Sequence, residues 1–357
     1  MIYTKTYIES LKKIQSSILD IKKLENISIL ITGSTGMIGS ALVDVLMQRN
    51  IDEEANIQIY AASRSEEKFK NRFSIFLARK ELHFFEYEAI APFRCKERFN
   101  YIICAAGNAD PKTYREEPVE TMLGNILGLN NLLKYAVETK VDRVLYISSS
   151  EVYGKKKENA SYSESEYGYV DILNARACYP SAKRAGETLN VAYIKEYDID
   201  AVIVRPGHIY GPTQTKKDVR AASEFARKAA EGEEIVMKSD GAQLRSYCYV
   251  LDCATAILAV LLKGHKGEAY NISNKASLVT VKRMAEAFAD AGECKIVYDI
   301  PTNEEKKSYN MMENSSLNSK KLEELGWKAI FSMQEGACNT VKILKEAKSP
   351  VFGCAER

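Results

Sequence analysis

The sequence predicts an α/β protein: a Rossmann-type, doubly wound parallel sheet with a smaller, interleaved α/β lobe toward the C-terminus. Three observations carry this. Short apolar runs alternate with helical patterns up to residue 205. A glycine-rich loop, Gly33 to Gly39, directly follows the first run. Tyr179 and Lys183, four residues apart, open the helix that follows the fifth run.

The elements fall in order. Ile8, Leu11, Ile14, Ile18 and Ile21 stand at helical spacing, so residues 6–25 are expected to form an amphipathic helix. Residues 1–26 then make an N-terminal helical extension. Strands are expected over Ile27–Thr32, Ile57–Ala62, Leu82–Tyr87, Tyr101–Ala105, Arg143–Ser148 and Ala201–Arg205. Helices lie between them near 38–49, 118–138 and 178–197. After Pro206 the pattern loosens. A helix near 219–231 precedes a polar, Gly-containing stretch, a helix over 251–263 and a short strand, Ala269–Ile272. Smaller elements fill 277–345 and end in Leu325-Gly326-Trp327. The dinucleotide-binding domain is expected over 27–205 plus about 246–275, and the substrate lobe over about 206–245 plus 276–357.

The composition narrows the function. The 357 residues are 46% hydrophobic, enough for a large core. A net charge of +2 implies no acidic polymer as partner, and Lys155-Lys156-Lys157 reads as solvated surface, so nucleic acid is not expected. The 8 cysteines are scattered without a Cys-x-x-Cys pair, and His83, His208 and His265 do not cluster. Neither a metal site nor a disulfide framework is expected, and a reducing cytoplasm fits. No apolar run is long enough to span a bilayer, and the Lys- and Glu-bearing N-terminus is unlike a signal peptide.

The glycine loop points to a dinucleotide. In Thr32-Gly33-Ser34-Thr35-Gly36-Met37-Ile38-Gly39, Gly33 permits a tight turn, Gly36 admits a pyrophosphate, and Gly39 lets helix and strand pack closely. The following helix aims its N-terminus at the phosphates. The second strand ends in Tyr60-Ala61-Ala62-Ser63-Arg64, with no acid for a ribose 2′-hydroxyl. Arg64 can pair with a 2′-phosphate, or stack on adenine with NAD bound, so NAD and NADP both stay open.

Tyr179 and Lys183 share one helix face. An ammonium beside a phenol favours phenolate and is expected to lower the tyrosine pKa. That makes a general base for a hydroxyl whose carbon gives up hydride. The strand Arg143–Ile147 delivers Ser148-Ser149-Ser150-Glu151-Val152-Tyr153-Gly154 to the sheet edge where ligands bind.

The Gly-x-x-Gly-x-x-Gly spacing, with this Ser/Tyr/Lys order, resembles the extended short-chain dehydrogenase/reductases that act on nucleotide sugars. Further stretches resemble the UDP-glucuronate decarboxylases. Asn108-Ala109-Asp110-Pro111-Lys112-Thr113-Tyr114 is similar to that family's Ala-Ser-Pro-Pro-x-Tyr loop, with Lys112 in place of a proline. Pro118, Thr121, Asn125 and Gly128 continue its pattern. Arg176-Ala177-Cys178-Tyr179, Lys183-Arg184, Asp218-Val219-Arg220 and Leu244-Arg245-Ser246-Tyr247-Cys248-Tyr249-Val250 resemble its later motifs. His208 departs from an asparagine in Arg205-Pro206-Gly207-His208-Ile209-Tyr210-Gly211-Pro212.

The resemblance implies a set of contacts. Cofactor binding falls to Gly33, Thr35, Gly36, Met37, Ile38, Gly39, Ser63, Arg64, Ala105, Ala106, Tyr179, Lys183 and Pro206. Asn108, Tyr114, His208, Arg220 and Arg245 contact the nucleotide sugar, and the chain pairs as a homodimer. Ser149, Ser150, Glu151, Tyr179, Lys183 and Arg245 form the catalytic set. The 4,6-dehydratases resemble this loop but hold Asp where Ser150 stands. A serine is a poor general acid at neutral pH, so water loss is disfavoured. Tyr179 takes the 4-hydroxyl proton as hydride leaves C4. The 4-ketone makes the C6 carboxylate a β-keto acid that loses carbon dioxide, with Glu151 and Arg245 flanking that carboxylate. A 4-epimerase, a 4-dehydrogenase and, outside enzymes, a non-catalytic NAD(P)-binding sensor are the alternatives.

Overall fold

The strands β1 (Ser28–Thr32), β2 (Gln58–Ser63), β3 (Leu82–Glu86), β4 (Tyr101–Cys104), β5 (Arg143–Ile147) and β6 (Ala201–Pro206) fall where the apolar runs predict them. The structure is a computed structural model that describes residues 2–107, 109–156, 159–215, 218–299 and 313–348. Beyond β6 it adds β7 (His208–Tyr210), β8 (Ile235–Met237), β9 (Leu244–Tyr249), β10 (Ala269–Ile272), β11 (Leu278–Thr280), β12 (Ile296–Tyr298) and β13 (Asn314–Ser315). Its helices are α1 (Lys5–Gln15), α2 (Met37–Glu53), α3 (Glu66–Arg72), α4 (Pro111–Glu116), α5 (Pro118–Thr139) and α6 (Cys178–Tyr197). They continue with α7 (Ala221–Glu231), α8 (Val250–Lys263), α9 (Val281–Gly292), α10 (Lys320–Glu324) and α11 (Met333–Lys348).

Seven strands form one sheet in the order β10-β6-β5-β4-β1-β2-β3. Every neighbour in it is parallel. Parallel strands covered on both faces need near-continuous apolar runs, and β1, β5 and β6 supply them. The chain turns one way after β1 and the other way at β4. The crevice between those two strands is therefore the switch point where such sheets bind ligands.

The chain leaves this sheet after β6 and rejoins it at β10. In between, β9 anchors a small second sheet, parallel to β7 and β13 and antiparallel to β11. A two-stranded ribbon of β8 and β12 completes the lobe. Helix α8 is apolar nearly all round and buried, except for Asp252. That carboxylate accepts the Ile330 and Phe331 N–H groups at 2.8 and 3.0 Å, tying the C-terminal segment down. Burial pushes its pKa up to about 7.

The N-terminal helix is shorter than its periodicity predicts. It ends at Gln15, because the Ser16 and Ser17 hydroxyls bond back to the Lys13 and Ile14 carbonyls, and Asp20 then adopts a left-handed φ of 51°. Tyr7, Leu11, Ile14 and Ile18 join the main core. The Tyr3 and Tyr7 hydroxyls donate to Asp44 of α2 at 2.8 and 2.7 Å, and Arg72 of α3 pairs with the same carboxylate. Thr6 Oγ1 donates to Glu346 of α11 at 2.6 Å.

Candidate active site

The glycine loop links β1 to α2 as expected. Gly33 has φ +65°, and a Cβ there would lie 2.8 Å from the Ala105 carbonyl oxygen and 2.9 Å from Ala106 Cα. Glycine is thus required by both conformation and space. The N–H groups of Ala105 and Ala106 each donate to Thr32 Oγ1 at 3.1 Å, so the ends of β1 and β4 are stitched together beneath the loop. Gly36 caps α2, and a Cβ on it would meet only the Gly33 carbonyl, at 3.2 Å. Its outward face is open. Gly39 differs from expectation: its Cβ would strike the Gly33 carbonyl at 2.4 Å, so it packs against the turn rather than the strand. Thr35 and Ile38 are half-buried, and Met37 is buried. The Met37 carbonyl accepts from Thr213 Oγ1 at 2.9 Å, a support that no motif signals. Ser63 ends β2 buried, Arg64 beside it is exposed, and Pro206 closes β6.

The fifth strand and the sixth helix meet at Tyr179 and Lys183. Tyr179 and Lys183 are both buried on α6. The Lys183 ammonium donates to the Ile147 carbonyl at 2.8 Å, and lies 4.8 Å from the Tyr146 ring centroid and 5.7 Å from that of Tyr179. Burial lowers its pKa to about 8. The expected lowering at Tyr179 is reversed. Burial and the nearby Glu151 charge push its phenol up to about 12, while hydrogen bonding with Ser149 and Tyr114 pulls back only in part. Desolvation outweighs the ammonium, which is spent on a backbone carbonyl.

The sugar side of the crevice gathers around this tyrosine. Tyr114 of α4 is buried and stacks on Tyr179 with ring centroids 4.5 Å apart and planes 14° apart. Ser149 caps the short turn Ser150–Tyr153 by accepting the Glu151 N–H at 3.2 Å. Glu151 and Arg245 were expected to flank a substrate carboxylate, which is a separate matter from their contacts within the chain. The two Glu151 carboxylate oxygens accept from Arg176 at 2.9 Å each, while Arg245, buried on β9, donates to the Leu244 and Glu313 carbonyls. Arg176 lay in a motif, but its pairing with Glu151, 25 residues away, could not be read from spacing.

Arg220 starts α7, pairs with Asp218, and places Nη2 3.7 Å from Met37 Sδ. Its charge reaches Tyr179 and Tyr114, so it links the glycine loop to this tyrosine pair. His208, on β7, stands near Arg245 and Arg220. Burial and those two cations hold its pKa down at about 3, so the ring is neutral. Its Nδ1 is buried without a hydrogen-bond partner among the described residues. Asn108 lies outside the described residues. Among the described residues, no cluster of side chains suits a metal ion and no helix is long and apolar enough to cross a membrane.

A glycine-loop crevice beside a Ser/Tyr/Lys group defines a protein of the extended short-chain dehydrogenase/reductase class. The chain belongs to the NAD dependent epimerase/dehydratase family, whose model matches residues 29–273. Among curated relatives, UDP-glucuronic acid decarboxylase 3 of Arabidopsis thaliana is 30% identical over 315 residues, covering 87% of each chain. UDP-glucuronic acid decarboxylase 1 of Xenopus tropicalis is 26% identical over 89% of this chain and 72% of its own. Among solved structures, the UDP-glucose 4-epimerase of Thermotoga maritima superposes with a TM-score of 0.78 at 23% identity, covering 90% of this chain and all of that one. That likeness speaks to the fold.

Proposed function

We propose that the chain oxidises a nucleotide sugar at C4 with a nicotinamide dinucleotide and decarboxylates it, with a UDP-uronic acid such as UDP-glucuronate as substrate. The observation that carries this reading is the Ser149-Ser150-Glu151 turn beside Tyr179. It keeps a carboxylate near the phenol and has a serine where a dehydratase would hold an acid. The relatives named as UDP-glucuronic acid decarboxylases support it.

The loop fits a dinucleotide. Gly36 presents an open face at the N-terminus of a 17-residue helix, where backbone N–H groups and the helix dipole favour a pyrophosphate. Gly33, Thr35, Gly36, Met37, Ile38 and Gly39 would hold it, with Ser63 and Arg64 at the adenosine end and Ala105, Ala106 and Pro206 at the other strand ends. Arg64 is free to meet either a 2′-hydroxyl or a 2′-phosphate, so NAD and NADP are tested side by side. When bound, the nicotinamide supplies reversible hydride acceptance at the sugar.

This chain's residues do the rest. Tyr179 takes the 4-hydroxyl proton, and Ser149 hands it across. A positive charge brought close to Tyr179 offsets the burial that holds its phenol near 12. Lys183, anchored on Ile147, fixes the helix face that presents the phenol. With a ketone at C4, the C6 carboxylate departs as carbon dioxide, and the electrons it leaves are protonated at C5. Tyr114, Arg220, Arg245 and the neutral His208 line the nucleotide-sugar side.

The test is product mass. Purified protein is incubated with UDP-glucuronate and NAD or NADP. Loss of carbon dioxide supports the reading; an isomer or loss of water overturns it in favour of an epimerase or a dehydratase. We further propose a homodimer through α5, whose Val119, Met122, Leu123 and Leu127 form an exposed apolar face at helical spacing. Light scattering at monomer mass would refute it.

A further inference from the structure

The mechanism leaves one charged group without a task. Arg176 sits on a short turn, Ala175–Ala177, three residues before Tyr179. The Asn174 side chain accepts its N–H at 2.9 Å and fixes the turn. Its guanidinium gives Nη1 to one oxygen of Glu151 and Nη2 to the other, both at 2.9 Å. Its carbon centre stands 4.9 Å from the Tyr114 ring, and that ring stacks on Tyr179. Cation, Tyr114 and the catalytic phenol therefore form one column, with Glu151 held at its head.

A guanidinium has five N–H donors in a planar fork, and Glu151 takes one from each Nη. The Arg176 side chain is 38% exposed, so part of it remains open to a ligand from solvent. Glu151 alone would oppose an acidic sugar, because two carboxylates in one site disfavour each other. With Arg176 in place the pair is neutral, and donors are left over. The other nearby cations are differently occupied: Arg220 is matched by Asp218, and Arg245 donates to backbone carbonyls.

We infer that Arg176 determines substrate class. It shares its fork between Glu151 and the C6 carboxylate of the sugar, so the site prefers a uronic acid over the neutral hexose. The inference rests on the proposed uronic acid substrate, and it adds the residue that recognises the acid group. A lysine, with one compact charge and no planar fork, would serve only in part.

Binding separates this from packing. Calorimetric titrations with UDP-glucuronate and UDP-glucose, in the presence of oxidised cofactor, use Tyr179→Phe protein so that no turnover intervenes. The parent is expected to prefer UDP-glucuronate. Arg176→Gln is expected to weaken UDP-glucuronate about ten- to a hundredfold, the worth of a charge-assisted hydrogen bond, and leave UDP-glucose within about twofold. Arg176→Lys is expected to recover part of the loss. Unchanged cofactor affinity certifies that each variant is folded. If Arg176→Gln weakens both sugars equally, the residue only packs on Tyr114 and the inference falls. If the preference survives in Arg176→Gln but is lost in Arg245→Gln, recognition lies with Arg245 and the inference also falls. If the parent binds both sugars alike, the uronic acid reading itself fails, an outcome distinct from the other two.

Discussion

The two walls of the crevice are built from different materials. The cofactor wall is backbone: a left-handed Gly33, an open Gly36 and N–H groups stitched to Thr32. The sugar wall is charge and ring: Glu151 in the fork of Arg176, Tyr114 on Tyr179, and Arg220 on Asp218. A backbone wall tolerates little change where its glycines are packed, because a Cβ at Gly33 or Gly39 collides. A side-chain wall can be re-edited one residue at a time without moving the chain. Families that keep one redox step while changing the fate of the ketone need that division.

The sharpest break of the comparison is Tyr179→Phe. Turnover is expected to fall about 10²- to 10⁴-fold, the usual contribution of a positioned acid–base group. Dinucleotide affinity should not change. Product formation and a fluorescence titration of the cofactor measure the two, and a variant that turns over normally would remove Tyr179 from the chemistry.

Gly33→Ala attacks the other wall. A side chain at φ +65° and 2.8 Å from the Ala105 carbonyl is expected to cost about 1–3 kcal/mol. Thermal melts and cofactor titrations should show the loss together. A variant with intact cofactor affinity would mean that the loop is less rigidly specified than its geometry implies.

A smaller effect sharpens the boundary between the walls. Burial holds the Lys183 pKa down at about 8, against an ordinary value of 10.5. The unfolded chain therefore binds a proton more readily between those values. Stability should rise as pH climbs from 8 to 10.5, by on the order of 1–3 kcal/mol. Lys183→Met should lack that rise. Denaturant melts at pH 8 and pH 10 make the comparison, and equal slopes in the two proteins would mean that burial does not lower the Lys183 pKa and the group stays charged across that window.

The sequence made the large sheet legible because parallel strands buried on both faces are written as unbroken apolar runs. The small lobe was less so: β7 and β8 span three residues each, too short for a period, and β9 lies within a stretch that looked polar. Tyr179 and Lys183 were singled out by helical spacing together with their place after the fifth strand and its serine-rich loop. Their proton affinities were not, because burial is set by what Tyr146, Tyr114 and Ile147 bring from elsewhere. Glu151 was recognisable as a carboxylate at a strand end. Its partner was hidden because the loop between them folds back through residues with no pattern of their own.

The bond from Thr6 to Glu346 spans 340 residues. During synthesis the first helix leaves the ribosome long before the last one exists to cover it. Asp44, on the helix that follows the glycine loop, can gather Tyr3, Tyr7 and Arg72 early, whereas the seam of α1 with α11 must wait for α11. Domains made N-terminal first ordinarily close behind the growing end. Here the cover on α1 comes from a helix 340 residues further along, so that seam closes only after the sheet between them has been made.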